Sequence, residues 1–157
     1  MSKKFFKRIG LVLLAGFLIA VAVVLYLFNM PHRDVQAASV DYELAAAALV
    51  EEYLENAAGA NEKYLNEEGE SKILSVSGRV WAVEEDLNHQ KVVLLKDTGA
   101  KAGVSCTFTR ESSAHAASLK PGQVVTIKGV IRSGAGYDED LDLYEDVILE
   151  KCDLINL

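Results

Sequence analysis

The hydrophobic rhythm of the chain changes in stages. From Ile9 to Phe28, "IGLVLLAGFLIAVAVVLYLF", no position is charged. At ~1.5 Å per residue such a run crosses the ~30 Å hydrocarbon core of a bilayer as a helix. Asn29 to Val40, "NMPHRDVQAASV", interrupts it with Pro31 and polar side chains and reads as a linker. From Asp41 to Tyr64 the period becomes helical. Leu49, Tyr53, Ala57, Ala60 and Tyr64 share one face, and Glu51, Glu52, Glu55 and Glu62 occupy the other. Asp41 stands where an N-cap belongs, Ala45 to Ala48 favour helix, and Gly59 is the weak point. "NEEGES", Asn66 to Ser71, reads as the exit loop.

Beyond Lys72 the period falls to two. Ile73 to Val83 sets Leu74, Val76, Gly78, Val80 and Ala82 against Ser75, Ser77, Arg79 and Trp81, a half-buried strand whose central glycine predicts a bulge or a sharp coil. Lys91–Lys96 and Val104–Thr109 predict two more strands, and Glu111–Leu119 a short helix. Pro121-Gly122 turns the chain into a fourth strand, Gln123–Arg132. The acidic stretch "SGAGYDEDLD" predicts a long turn, and Leu143 to Asp153 a fifth strand. Closing five such strands into a barrel removes exposed edges, and Gly78 and Gly129 ease the coiling. A helix between the third and fourth strands makes this an OB-fold arrangement. The expected organisation is a basic N-terminus over 1–8, a transmembrane anchor over 9–28, a linker over 29–40, and a helix plus five-stranded OB-fold barrel over 41–157.

Charge refines the picture. Lys3, Lys4, Lys7 and Arg8 precede the apolar run and predict a cytoplasmic N-terminus, with the rest across the inner (cytoplasmic) membrane, extracytoplasmic and periplasmic. The alternative is a cleaved signal peptide, with a candidate site at "VQA", Val35 to Ala37. The apolar run exceeds the ~7–15 residues of a signal peptide, and no cysteine follows it to form a lipobox. All 23 acidic residues follow Arg33, facing 11 basic ones, so the remainder carries a net −12. That field repels nucleic-acid backbones, whose binding depends on lysine and arginine.

Candidate chemistry is sparse. Cys106 and Cys152 form an even pair that an oxidising compartment could bridge, provided their strands are neighbours; otherwise they are small buried hydrophobes. Arg79 and Trp81 face outward on the first strand and form a candidate binding surface. OB-fold stacking platforms, however, repeat aromatics over neighbouring strands among basic residues, and this chain does not. Asn61 and Tyr64, with Asn56, recur near the helix end, either as ligand contacts or as a buried ring and helix-end hydrogen bonds. Asp138, Asp140 and Asp142 have the alternation of a calcium loop. Leu143 replaces its glycine and Leu149 its terminal glutamate, so a solvated acidic loop is expected. His32, His89 and His115 lie far apart, no Cys/His spacing suits zinc, and "GAG" at Gly134 to Gly136 is too short for a phosphate loop. No catalytic, cofactor or metal site is expected, and no enzyme.

Several blocks resemble the tRNA_anti-like family of OB-fold proteins, common in Bacteroidetes as lipoproteins or membrane-anchored proteins. They are "NAAGANEKYL", "ILSVSGRV", "VSCTF", "LKPGQVVTIKG" and "DVILEKC". The resemblance spans about Leu44 to Cys152. Asn56, Ala60, Asn61, Lys63 and Tyr64 match the helix end. Cys106, Gly122, Val125, Ile127, Lys128, Gly129, Asp146, Val147, Leu149 and Cys152 match the later blocks. Ala57 departs from a frequent glutamate, Ala45 from a capping Ser or Thr, and the stretch Asn66 to Lys72 is longer than the pattern. The resemblance implies an OB-fold and leaves the function unassigned. The expected function is a membrane-anchored extracytoplasmic binding module contacting a protein or another non-polyanionic envelope partner. Alternatives are a single-stranded nucleic-acid-binding protein and a structural component of an envelope assembly.

Overall fold

The computed structural model describes residues 3–29, 34–66 and 70–155, with side chains of the first helix described from residue 12. The side chains of Lys3, Lys4, Lys7 and Arg8, and Pro31, His32 and Arg33, lie outside the described residues. The chain divides into two compact units, 1–33 and 34–157. The first contains α1 (Lys3–Phe28), and the expected anchor falls on it. Among the described residues no helix is long and apolar enough to cross a membrane; residues 9–11 of the expected span lie outside the described side chains.

The second unit is a closed barrel with helices at its ends. Its elements are β1 (Tyr42–Ala45), α2 (Ala46–Glu55), α3 (Ala57–Tyr64), β2 (Ile73–Glu85), β3 (Lys91–Leu95), β4 (Val104–Phe108), α4 (Ser113–Ala117), β5 (Val124–Ser133), β6 (Gly136–Asp138), β7 (Leu143–Glu145) and β8 (Val147–Leu154). The ring runs β2-β3-β4-β8-β5 and closes because β5 also pairs with β2. β4 and β8 are parallel and the other ring pairs antiparallel, which is the OB-fold arrangement. β2 is long because it serves both ends of the closure. Ile73 to Arg79 pair with β5, and from Val80 onward β2 pairs with β3.

Inward positions alternate on β3 (Val93, Leu95) and β4 (Val104, Cys106, Phe108), and on β8 Val147 and Leu149 are followed by Cys152 across a register shift; all are fully buried. Gly129 lies at a register shift between β5 and β8, and a Cβ there would approach Cys152 Sγ to 2.6 Å. So this position is held small by its neighbour as well as by curvature.

Three expectations change. Asp41 is not a helix cap. Tyr42 to Ala45 form a short strand parallel to β2, and Asp41 Oδ2 accepts from the Ile73 amide at 2.7 Å. The single helix expected up to Tyr64 is two, divided at Asn56 rather than at Gly59, which leaves Ala57 exposed. The acidic stretch after Ser133 is a β6–β7 hairpin, and the expected fifth strand is split at Asp146, whose Oδ1 accepts from the Gly103 amide at 2.6 Å.

The last part of the expected linker is also docked. Val35 is buried with Ile73 and Val130. Gln36 Nε2 donates to the Lys151 carbonyl at 2.6 Å, and Lys128 Nζ donates to the Gln36 and Ala38 carbonyls.

Helices cap both ends of the barrel. α4 lies over the end marked by Lys91 and Cys152: the Lys91 amide donates to Ser113 Oγ and Ser112 Oγ donates to the Cys152 carbonyl. α2 lies at the other end. A Cβ on Gly78 would come within 3.0 Å of Ala46 Cβ and 3.1 Å of Leu95 Cβ, so glycine sets how closely the helix seats. Leu49, Tyr53 and Tyr64 join the barrel residues in one continuous core.

Candidate functional site

With both ends plugged, the outer face of the β3–β4 sheet and the groove beside α2 are two surfaces open to a ligand. The strand register assigns the first. Ala82, Leu94, Ser105 and Ile148 fall in one row across β2, β3, β4 and β8, and Glu84, Val92 and Thr107 in the next. These two rows hold apolar, hydroxyl and acidic side chains, and Trp81, half exposed at the register shift beside Ala82, adjoins them.

The groove is made by elements distant in sequence. One cleft of about 460 Å³ has a floor of small residues, among them Ala46, Gly78 and Ala102, between α2 and the loop that joins β3 to β4. An adjoining cleft of about 320 Å³ is bounded by Tyr53, Ala135, Tyr137 and Tyr144. Leu54 and Lys101 line both, so the two run together along α2. Each volume is of the size that holds a small ligand or a few residues of peptide.

The charges lining the first cleft balance, Glu51, Glu55 and Asp97 against Arg79, Lys96 and Lys101. Arg79 Nη1 donates to the Gly122 carbonyl at 2.9 Å and its Nε lies 4.0 Å from Asp97. Lys96 Nζ donates to the Lys101 carbonyl, and Lys101 Nζ lies 5.2 Å from the centre of the Tyr144 ring. Glu51 and Glu55, on the helical wall, have no hydrogen-bond or ion-pair partner among the described residues. Tyr53 is 2% exposed, and its hydroxyl is the one buried side-chain polar atom without a partner among the described residues. Burial pushes its pKa up to about 12.

The residues singled out in the sequence are dispersed. Arg79 lines the groove. Trp81, half exposed, sits at the register shift between Val80 and Ala82. Tyr64 is buried on α3, and its hydroxyl donates to Glu52 Oε2 at 2.7 Å. Lys63 Nζ donates to Glu52 Oε1 at 2.8 Å and lies 4.6 Å from the Tyr64 ring centre. Hydrogen bonds from Lys63 and then Tyr64 hold the Glu52 pKa below its ordinary value. This cluster ties α3 to α2. Asn61 is exposed, and its carbonyl accepts from the Leu65 amide. The matched Asn56 caps α3, its Oδ1 accepting from the Gly59 amide at 3.1 Å.

Cys106 and Cys152 are buried, unbridged and on paired strands. Burial first, and then the neighbouring Cys106 thiol, raises the Cys152 pKa. Asp138 Oδ1 accepts from the Asp140 and Leu141 amides, and Asp142 accepts from the Tyr137 hydroxyl, so the acidic stretch shapes its own hairpin. Among the described residues no cluster of three or more His, Cys, Asp or Glu is placed to hold a metal. Sequence reasoning missed Tyr53 as a site residue, along with Glu51, Glu55 and Lys101. The helical spacing marked Tyr53 as core, and nothing local told that its hydroxyl would lack a partner.

The tRNA_anti-like family model matches residues 1–141. Of solved structures, a lipoprotein of Klebsiella pneumoniae subsp. pneumoniae MGH 78578, itself only proposed to bind nucleic acid, superposes with a TM-score of 0.53 at 19% identity, over 81% of this chain and 100% of that one. The S. pombe Stn1–Ten1 complex gives a TM-score of 0.36 at 20% identity, over 54% of this chain and 59% of that one. An OBody bound to hen egg-white lysozyme gives 0.35 at 25% identity, over 55% and 78%. No curated protein matches the chain.

Proposed function

Since the chain belongs to the tRNA_anti-like family, we propose that it is a non-catalytic OB-fold binding module, held at the outer side of the cytoplasmic membrane by residues 9–28, whose partner is a protein. The composition of the outer sheet face carries this reading. The rows from Ala82 to Ile148 and from Glu84 to Thr107 offer apolar contact edged by carboxylate. A polyphosphate meets repulsion there, in a region with 23 acidic residues against 11 basic ones.

Retention of the anchor is supported by the packing just beyond it. Cleavage after Ala37 would take away Val35, buried against Ile73 and Val130, and the Gln36 contact to β8. A mature chain beginning there would expose Ile73, so the uncleaved form keeps the barrel intact.

The second reading is a single-stranded nucleic-acid-binding protein, favoured by the description of the Klebsiella lipoprotein. A titration of labelled oligothymidylate against the full-length protein in detergent decides. The protein-binding reading expects no saturation at micromolar protein in low salt. The other expects binding that weakens steeply as salt rises. Membrane fractionation with N-terminal sequencing checks the anchor: a soluble chain beginning at Ala38 would reject it.

A further inference from the structure

The segment Asp34–Ala38 is bound more completely than a passing linker requires. Val35 is 3% exposed and packs on Ile73 and Val130. Asp34 Oδ1 accepts from the Gln36 and Ala37 amides at 3.0 and 3.1 Å, and the Asp34 carbonyl accepts from the Ala38 amide at 3.1 Å. These bonds set Val35 to Ala37 in a turn. Lys128 Nζ donates to the Gln36 and Ala38 carbonyls, and Gln36 Nε2 donates to the Lys151 carbonyl.

The same residues are those that a peptidase selective for small side chains would read. Ala37 and Val35 stand one and three residues before the Ala37–Ala38 bond, the small-residue pattern of an export-type cleavage site. Such an enzyme takes its substrate as an extended chain, through main-chain hydrogen bonds and side-chain pockets. Here the amides of residues 36 to 38 and the carbonyls of Gln36 and Ala38 are already bonded, and the Val35 side chain is inside the protein. Ala37 itself is exposed, yet the docked strap offers the enzyme a closed turn in place of an extended chain.

The strap can open alone. Val35, Ile73 and Val130 form a cluster separate from the main core, and Ile73 and Val130 are paired neighbours on β2 and β5. Undocking breaks that small cluster and leaves the barrel interior closed, which places it at the low end of the protein's opening energies.

We propose that Asp34–Ala38 is a guarded processing site: docking on β2, β5 and β8 withholds the Ala37–Ala38 bond from a peptidase selective for small residues, and undocking lets that enzyme cut the unit from its anchor. Hydrolysis adds water across the bond, leaving a carboxylate on Ala37 and a new amino terminus at Ala38. This rests on the anchored, extracytoplasmic reading above and adds how the anchor can be lost.

The test uses the full-length protein in detergent, with elastase as the small-residue peptidase and mass spectrometry of the new termini. A blocked peptide of residues 34–42 gives the rate for the unguarded sequence. The wild type should be cut at Ala37–Ala38 at least about tenfold more slowly than the peptide. K128M removes both bonds to the strap carbonyls and keeps residues 34–38 as they are. It should speed the cut about tenfold, the scale of one lost hydrogen bond to a charged group, because cutting follows the open population. V130A loosens the seat of Val35 and should act in the same direction. Hydrogen exchange at Val93 and Leu95 should stay unchanged in K128M; a rise there matching the rise in cutting would mean that the whole barrel opens, and would overturn the strap as a separate device. Wild type cut as fast as the peptide, or variants cut no faster than wild type, overturns the guard and leaves the anchor. In cells, K128M should shed a soluble chain beginning at Ala38 while the wild type stays in the membrane. K128M retained whole overturns the release step. Wild type found only as the soluble chain rejects the anchored reading as well.

Discussion

Tyr53 gives its ring to the core and leaves its hydroxyl without a partner among the described residues, so one residue carries both a packing gain and a desolvation cost. Its ring lies so close to the backbone of Gly134 that a Cβ there would fall 1.9 Å from Cε1. Gly134→Ala must push α2 away from the start of the β6–β7 hairpin. The expected cost is about 1–3 kcal/mol, as for other overpacked sites, read as a lower melting temperature and largely recovered when Tyr53 is also shortened to Leu. The same burial sets an alkaline limit. The Tyr53 pKa is about 12 when folded and near 10 when unfolded. Its contribution is therefore complete below pH 10 and is lost as pH rises toward 12, and burial of Tyr64 acts in the same direction. Phenolate absorbance should show the exposed tyrosines ionising first and the last ones only with unfolding. Y53F should move that unfolding to higher pH and, by removing a buried unpaired hydroxyl, stabilise the protein at neutral pH by about 1 kcal/mol.

At the level of elements, α2 and α3 are held apart by a cap and together by a cluster. Asn56 Oδ1 accepts from the Gly59 amide, and the Asn56 side chain already fills the space where a Gly59 side chain would go. Asn56→Ala should cost about 0.5–2 kcal/mol. Hydrogen exchange should rise in α3 ahead of the barrel, because Lys63, Tyr64 and Glu52 would be left to hold α3 on α2. Faster exchange throughout the barrel at the same rate would show that the cap is not a local device. The five barrel strands were legible because each buries one face, and burial writes a period of two. β1 was not, because Ala45 to Ala48 have strong helical propensity and only a parallel pairing to β2, some thirty residues on, draws Tyr42 to Ala45 into a strand. The β6–β7 hairpin was hidden for a related reason. Its pairs, Tyr137 with Tyr144 and Asp138 with Leu143, are short and mostly exposed, so they leave no alternation to read. Arg79 was legible as an outward side chain. The groove it lines was not, since its walls come from α2 and from loops that meet only when the barrel closes.

For the whole molecule the last step is closure, and the parallel β4–β8 seam is where the two cysteines meet. Cys106 and Cys152 are both fully buried, Cys106 Sγ donating to the Val104 carbonyl at 3.8 Å, with Gly129 of β5 leaving the room that Cys152 Sγ occupies. The seam joins segments far apart in sequence, so a covalent link there constrains the unfolded chain strongly. For a loop of this length the chain-entropy model gives ~4 kcal/mol. Bridging requires that two thiols lose two protons and two electrons through exchange with the disulfide donor of an oxidising compartment. It must occur before the barrel buries both sulfurs. If the unit folds outside the cytoplasm, protein taken directly from membranes and denatured under acid quench should show no alkylatable thiol until reduced, and reduction should lower its melting temperature. Two free thiols in that sample, bridged only after refolding with an added oxidant, would keep the geometry and reject the compartment. Two thiols that resist bridging even then would mean that the strands cannot bring the sulfurs to bonding distance, and that the pair serves only as packing.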